Sequence, residues 1–416
     1  MARRQYRVFT LAWRNIWRNT RRTLITTAAV VFAVFLAIFS WCFALGEHEQ
    51  MIRDTLKIHT GHIQVHKSGY WDDRTIFNGF TPSDELLTFV DADERVEAWV
   101  RRLNVDALIS TAVDQGGNSG GIMLIGVEPE RERSFTSLPD KVYRGEYLTD
   151  GDASGIFIGE ILAKNLEVEV NDSVIIMTQD IYGALSAGEY TVVGIFKSNT
   201  TEMDRGMAFI TLDAMRYLLS IDEQVSEVSI LLSDSRKVKK TTRDLKDAVD
   251  LERVEVMTWQ ELMPDLVQFI EFDNAFGYLF FVVILLVVIF GILNTILMAV
   301  MERYREFGVM MALGTRPNEI IRLIMMESAL IAFLGIIIGD MVGFGVAYYF
   351  TIHPWDFSQY SDVMWSFGID PKIYARMYPW VFYVTDMIIL GSTLLAAVYP
   401  AVKASRLRPV QALRYI

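Results

Sequence analysis

The chain has 416 residues, 52% of them hydrophobic and 12% aromatic, with a mean hydropathy of +0.26. That is too apolar for an ordinary soluble enzyme, yet 22% charged residues are too many for a protein wholly immersed in lipid, so a membrane part and a soluble part are expected. With a net charge of −12 no nucleic-acid partner is expected, and the single Cys42 excludes an intramolecular disulfide and any multi-cysteine metal site.

Residues 1–22 contain Arg3, Arg4, Arg7, Arg14, Arg18, Arg21 and Arg22 and no acid, with Phe9, Trp13, Ile16 and Trp17 at helical spacing. This pattern predicts an amphipathic helix lying in the cytosolic interface. Leu24 to Leu45 supplies 22 uncharged residues, the centre of a first span at 23–46. The run is too long for a signal-peptide core and no cleavage site follows it, so it is expected to stay as a membrane helix with its N-terminus inside. Trp41 stands where a lipoprotein cleavage site needs a small residue, so Cys42 is expected to be a buried thiol.

Residues 47–273 carry 42 acidic against 22 basic residues and are expected outside the membrane. Helical patterns at Glu47 to Ile58 and Trp259 to Asp273 extend the flanking spans as stalks. Between them, strand patterns at 61–66, 105–113, 121–127, 174–178, 190–196 and 225–232 alternate with helical ones at 84–102, 160–166, 212–219 and 236–249. A mixed α+β domain with its own core is expected. His62 and His66 share one face of the first strand with His59 opposite, which is poor metal geometry; solvated or core histidines are expected, and no metal site.

A second span is set at 274–301, where Ala275 to Met301 holds 27 residues without a charge. The polar segment 302–322 follows, with Arg303, Arg305, Arg316 and Arg322 in it, and lysines and arginines beside spans mark the cytosolic side. It reads as a finger: a helix from Met301 to Leu313, a left-handed cap at Gly314, and a turn to Pro317 at the next helix start. Tyr304, Phe307 and Met311 fall on one face with Met310 beside them. An ordinary amphipathic surface helix and a face gripped in the groove of a cytosolic partner both fit that spacing. The third span, 323–352, carries Gly335, Gly339, Gly343 and Ala347 at four-residue intervals, a stripe that admits another helix closely within the subunit. An aromatic-rich outer loop, 353–378, precedes a fourth span at 379–402. A tail at 403–416 with Lys403, Arg406, Arg408 and Arg414 returns to the cytosol. The fold expected is an α-helical membrane protein with four transmembrane helices and a large α+β extracytoplasmic domain between the first and second.

Three stretches, WRNIWRNTRRTLIT, ERYREFGVMMALGTRPNEI and YPAVKASRLRPVQALRYI, resemble the four-helix permeases of type VII ABC transporters, a family that includes MacB, FtsX and the LolC/LolE lipoprotein-releasing permeases. The resemblance covers essentially the whole chain. It implies a permease of the inner (cytoplasmic) membrane, not itself an enzyme, working as a homodimer or as a heterodimer with a similar permease. No G-x-x-x-x-G-K-[ST] occurs in the sequence, so ATP and Mg are expected on a separate cytosolic ATPase and no cofactor on this chain. The finger corresponds to the family's coupling segment, which puts Glu302, Arg303, Arg305, Glu306, Phe307, Gly308, Met311 and Gly314 at the ATPase contact. In lipoprotein-releasing permeases a hairpin of the outer domain is extended into a chaperone-binding hook; the corresponding loop here, Gln179 to Glu189, is shorter. A periplasmic chaperone or adaptor is a further partner the resemblance implies.

Asp340 and Asp386 lie in successive spans, as in intramembrane aspartyl proteases, but the chain reads Ile337-Ile338-Gly339-Asp340 where those enzymes have G-x-G-D. Interior hydrogen bonding or contact with a polar cavity is expected for both. A sensory receptor would need a cytosolic signalling domain, and the sequence has none. Within the uncharged runs 24–45 and 275–301 the first two spans offer only Thr26, Thr27, Ser40, Tyr278, Asn294 and Thr295 as polar groups, walls suited to membrane lipid or an acyl chain. The expected work is extraction of lipoproteins or other amphiphiles from the membrane. The alternative is MacB-like mechanical efflux of periplasmic peptides, toxins or small molecules.

Overall fold

The computed structural model describes residues 2–111, 117–198, 200–366 and 370–406; the side chains of Arg3, Arg4, Arg7, His59 and Trp365, and all of Phe367, Arg408 and Arg414, lie outside the described residues. The chain divides into a helical unit (1–49, 269–356 and 372–416) and a sheet unit (50–268 and 357–371). Helix α1 (Ala2–Arg18) buries Ala12 and Ile16 in the helical unit and leaves Phe9, Leu11, Trp13 and Trp17 exposed. Thr23 donates its hydroxyl hydrogen to the Ile16 carbonyl at 2.6 Å, fixing the corner into α2 (Thr20–Thr55).

The sheet unit opens with β1 (Ile63–Lys67), α3 (Asp84–Ala92) and the fifteen-residue β2 (Val96–Ser110). The helix expected over 84–102 is thus corrected: it begins on the Ser83 cap and stops at Ala92. From Val96 onward, valines and Trp99 find a ladder with a neighbouring strand, which outweighs the local helical period. Next come β3 (Ser119–Val127), α4 (Pro129–Phe135), β4 (Val142–Gly145), β5 (Gly155–Gly159), α5 (Glu160–Leu166), β6 (Ser173–Gln179) and β7 (Leu185–Phe196). The unit continues through α6 (Thr201–Gly206), β8 (Met207–Thr211), α7 (Leu212–Leu219), β9 (Glu227–Leu232), α8 (Val238–Ala248), β10 (Val254–Thr258) and α9 (Trp259–Leu262). Strands β1 to β10 form one mixed sheet in the order β10-β1-β9-β2-β3-β8-β5-β7-β4, with β6 paired to β2 and β7. Strand β2 joins two halves, its first part laddered to β9 and its second to β3. On one half α3 and α8 cover Ile63, Val65, Trp99 and Ile230; on the other α5 and α7 cover Leu124, Ile158, Val192 and Ile210. The loop expected over 179–189 is a tight turn at 180–184, because Ser186, Ala187 and Gly188 continue the ladder with β6. Asp180 closes the turn by accepting from the Tyr182 and Ala184 amides at 2.9 and 2.8 Å.

The chain returns to the helical unit through α10 (Pro264–Glu302), α11 (Tyr304–Ala312) and α12 (Pro317–Ile352). The short strands β11 (Trp355–Asp356) and β12 (Lys372–Ile373) pair around α13 (Ser361–Ser366), and α14 (Pro379–Ser405) follows. Helices α2, α10, α12 and α14 are each long and apolar enough to cross a membrane. The glycine stripe of α12 is filled from within the subunit: a Cβ at Gly335 would stand 2.6 Å from Val30 Cβ, and one at Gly339 2.7 Å from Val34 Cβ. On α14, Ala396, Ala397, Ala401 and Ala404 are buried, small residues that let helices approach closely. Helix α10 contributes Val288, Ile292, Ile296 and Val300 to this core and leaves most of its remaining apolar surface uncovered.

Candidate coupling site

Between α10 and α12 the backbone breaks at Arg303 (φ −102°, ψ 14°), restarts as α11, and closes at Gly314. Gly314 takes φ +94°, which lets the Gly314 and Thr315 amides donate to the Met311 and Met310 carbonyls at 3.0 Å each. Pro317 then starts α12 behind a box made by Arg316 and Glu319. The finger is a nine-residue helix and its closing turn, and its two faces differ. Phe307 is 1% exposed and Gly308 is buried. Arg303 lies with its guanidinium 5.1 Å from the Phe307 ring centre and donates to both Glu327 oxygens at 3.0 Å. Asn15 of α1 donates to the same carboxylate at 2.6 Å. Arg22 of α2 donates to Glu302 at 2.7 Å, and Arg18 of α1 pairs with Glu306. Burial works to raise the Glu306 carboxyl, but Arg18 and Arg303 together hold it below the ordinary range.

Of the eight residues expected at the partner contact, Arg303, Phe307 and Gly308 therefore turn inward, and Glu302 and Glu306 are engaged by arginines of the same chain. The reason is that the apolar face containing Phe307 has a partner at hand, the core formed with α1 and α12. Arg305 and Gly314 remain outward, Met311 is half-buried, and Leu313, which the spacing did not single out, is 83% exposed at the tip. Its only signal in the sequence was its place directly before the capping glycine, at the tip of the finger where the chain turns back.

A second feature of the helical unit is a lateral groove between α2 and α10. Ala37, Trp41 and Ala44 form one wall, and Gly277, Phe280 and Ile284 the other. Its polar groups are Ser40, Asn274 and Asp273, whose carboxylate meets His48 Nε2 at 2.9 Å. Asp340 and Asp386 come together across α12 and α14, and one oxygen of each is buried with no hydrogen-bond partner among the described residues. In the sheet unit His62 and His66 are core side chains. His62 Nδ1 accepts from the Leu232 amide at 3.1 Å, and His66 Nε2 meets Gln64 Oε1 at 3.1 Å. Sequence reasoning missed the buried Arg102, which pairs with Glu132 and Glu227, because its carboxylates come from α4 and β9, far away in the chain.

Residues 23–248 match the MacB-like periplasmic core domain family, and residues 278–409 match the FtsX-like permease C-terminal family. The chain belongs to the MacB/FtsX family of ABC transporter permeases. This permease is 24% identical over 358 residues to the lipoprotein-releasing system transmembrane protein LolC of Neisseria meningitidis, covering 82% of this chain and 83% of the relative. It is 34% identical over 128 residues to the macrolide export ATP-binding/permease protein MacB of Syntrophobacter fumaroxidans, covering 30% of this chain and 15% of that one. The periplasmic region of MacB from Actinobacillus actinomycetemcomitans aligns over 53% of this chain and 98% of its own at 12% identity, with a TM-score of 0.36. Membership of the family implies an ATPase partner and pairing with a second permease, and it makes the permease a membrane protein with an extracellular domain.

Proposed function

We propose that this permease, driven by a separate ATPase that holds ATP and Mg, extracts lipoproteins or other amphiphiles from the inner membrane, with both termini in the cytosol. The observation that carries the cargo is the groove between α2 and α10, apolar along its walls and polar at Asp273, Asn274 and Ser40. Such a groove suits an acyl chain with a polar head, since burial is favourable by about 0.8 kcal/mol per CH₂. Similarity to a lipoprotein-releasing protein over most of both chains points the same way. The ATPase contact is assigned to the outward side of the finger, Arg305, Leu313 and Gly314, with the half-buried Met311 at its edge. A periplasmic chaperone or adaptor would meet the β6–β7 turn, where Tyr182 and Leu185 stand exposed. The match to the MacB-like core domain over 23–248 favours a second reading, mechanical efflux of periplasmic peptides, toxins or small molecules.

Depleting the permease and fractionating the membranes separates the two. Retention of outer-membrane lipoproteins in the inner membrane is the expected result. Normal lipoprotein sorting with failed export of a soluble peptide or toxin transfers the assignment to efflux. For the contact, Leu313→Asp is expected to leave the permease in the membrane and lose the ATPase on co-purification. An ATPase that still co-purifies contradicts it.

A further inference from the structure

Seven polar side chains tie the finger to the rest of the helical unit, and none of them stands at its tip. Glu327 of α12 is shared by Arg303, at the break, and Asn15 of α1; Arg22 of α2 holds Glu302, the last residue of α10; Arg18 of α1 holds Glu306 of α11. The Arg303 and Glu327 side chains are only 10% and 15% exposed, and the arginine lies over Phe307, so this pair is shielded from salt and water. The other two pairs are half in water and would contribute little to stability alone. Their placement gives them a different role. Helix α10 is largely uncovered along its apolar length, while α2, α12 and α14 are packed together. The polar network pins the inner end of α10, where it meets the finger, to α1, α2 and α12 at once.

We propose that this network is a fulcrum: it converts movement of the finger into movement of α10 against α2, and Arg18, Arg22, Arg303, Glu302, Glu306 and Glu327 are positioning residues rather than contacts to the ATPase. The inference rests on the coupling reading above. Without the network a displaced finger rotates about the break at Arg303 and its motion dissipates locally. With it, the joint is held while the helix beyond swings.

The experiment uses the full-length permease co-purified with its ATPase, in a Cys42→Ser background, with spin labels at Ala44 on α2 and Phe280 on α10. ATP is added and the label distance is read. The single variants Arg22→Glu and Arg18→Glu are expected to retain the ATPase and to hydrolyse ATP, while the fraction of molecules showing the ATP-driven distance change falls about tenfold. The swaps Arg22→Glu/Glu302→Arg and Arg18→Glu/Glu306→Arg are expected to restore it. Single variants that move like the wild type overturn the fulcrum. So do swapped variants that lose the ATPase, because Glu302 or Glu306 would then be an ATPase contact. A wild-type complex that shows no ATP-driven change, or does not form, means instead that the coupling reading itself has failed.

Discussion

His62 shows how burial can make one side chain set a pH limit. Its ring accepts a hydrogen bond from the Leu232 amide, and burial, helped by the nearby Lys57 charge, pulls its pKa down to about 4. Between pH 6.5 and 4 the unfolded chain binds a proton at this site and the folded chain does not, so stability is lost as pH falls through that window. At pH 5 the loss is about 2 kcal/mol relative to neutral pH. Burial raises the carboxyls of Asp54 and Asp204, which act in the opposite sense, so the His62 effect is best read as a difference. His62→Gln keeps an acceptor for the Leu232 amide, and its thermal unfolding should vary less between pH 7.5 and 5 than that of the wild type. Equal slopes would refute the assignment. Arg102 presents the converse case, a cation held by two carboxylates with no exposure of its own. Arg102→Met strands both acids and should cost on the order of 3–5 kcal/mol, read as a lowered unfolding temperature.

At the scale of elements, legibility followed the range of the forces. The four apolar runs could be seen because each is long enough to cross the hydrocarbon core by itself, and the Gly314 cap because its conformation needs no distant partner. The inward face of the finger could not be seen. Phe307 and Leu313 are both apolar, and what separates them is Asn15, nearly three hundred residues away, and Glu327, a single acid in an apolar stretch. The first part of β2, read as helix, hid for the same reason: its partner β9 lies more than a hundred residues further on, while the strand pattern from Val105 was legible. The α12 stripe was legible in kind, since glycines four apart have a use wherever helices touch. Its structural role yields a prediction. Gly339→Leu must push Val34 aside, an overpacking of about 1–3 kcal/mol, whereas Gly291→Leu on α10 meets nothing within 4 Å. Unfolding of detergent-solubilised protein should therefore shift to lower temperature for the first and stay put for the second.

For the whole molecule, the question is which surface pairs two permeases. The stripe on α12 is taken up by α2 of the same chain, so a partner has no access to it. Helix α10 offers Phe276, Phe280, Val283, Val287 and Phe290, each between 50% and 65% exposed apart from Val287 at 68%. Tyr278, Leu279, Val282 and Leu286 are exposed beside them, so α10 carries a broad apolar surface that no other described residue covers. Two copies, or this permease and a similar one, are therefore expected to meet through α10, with the groove beside Trp41 opening next to the seam. Single cysteines at Val283 and Val287 in a Cys42→Ser background should give a crosslinked pair in native membranes, and Gly339→Cys should not. Efficient crosslinking at Gly339 with none along α10 would move the interface to α12, and the lateral groove would then face lipid instead of the centre of the assembly.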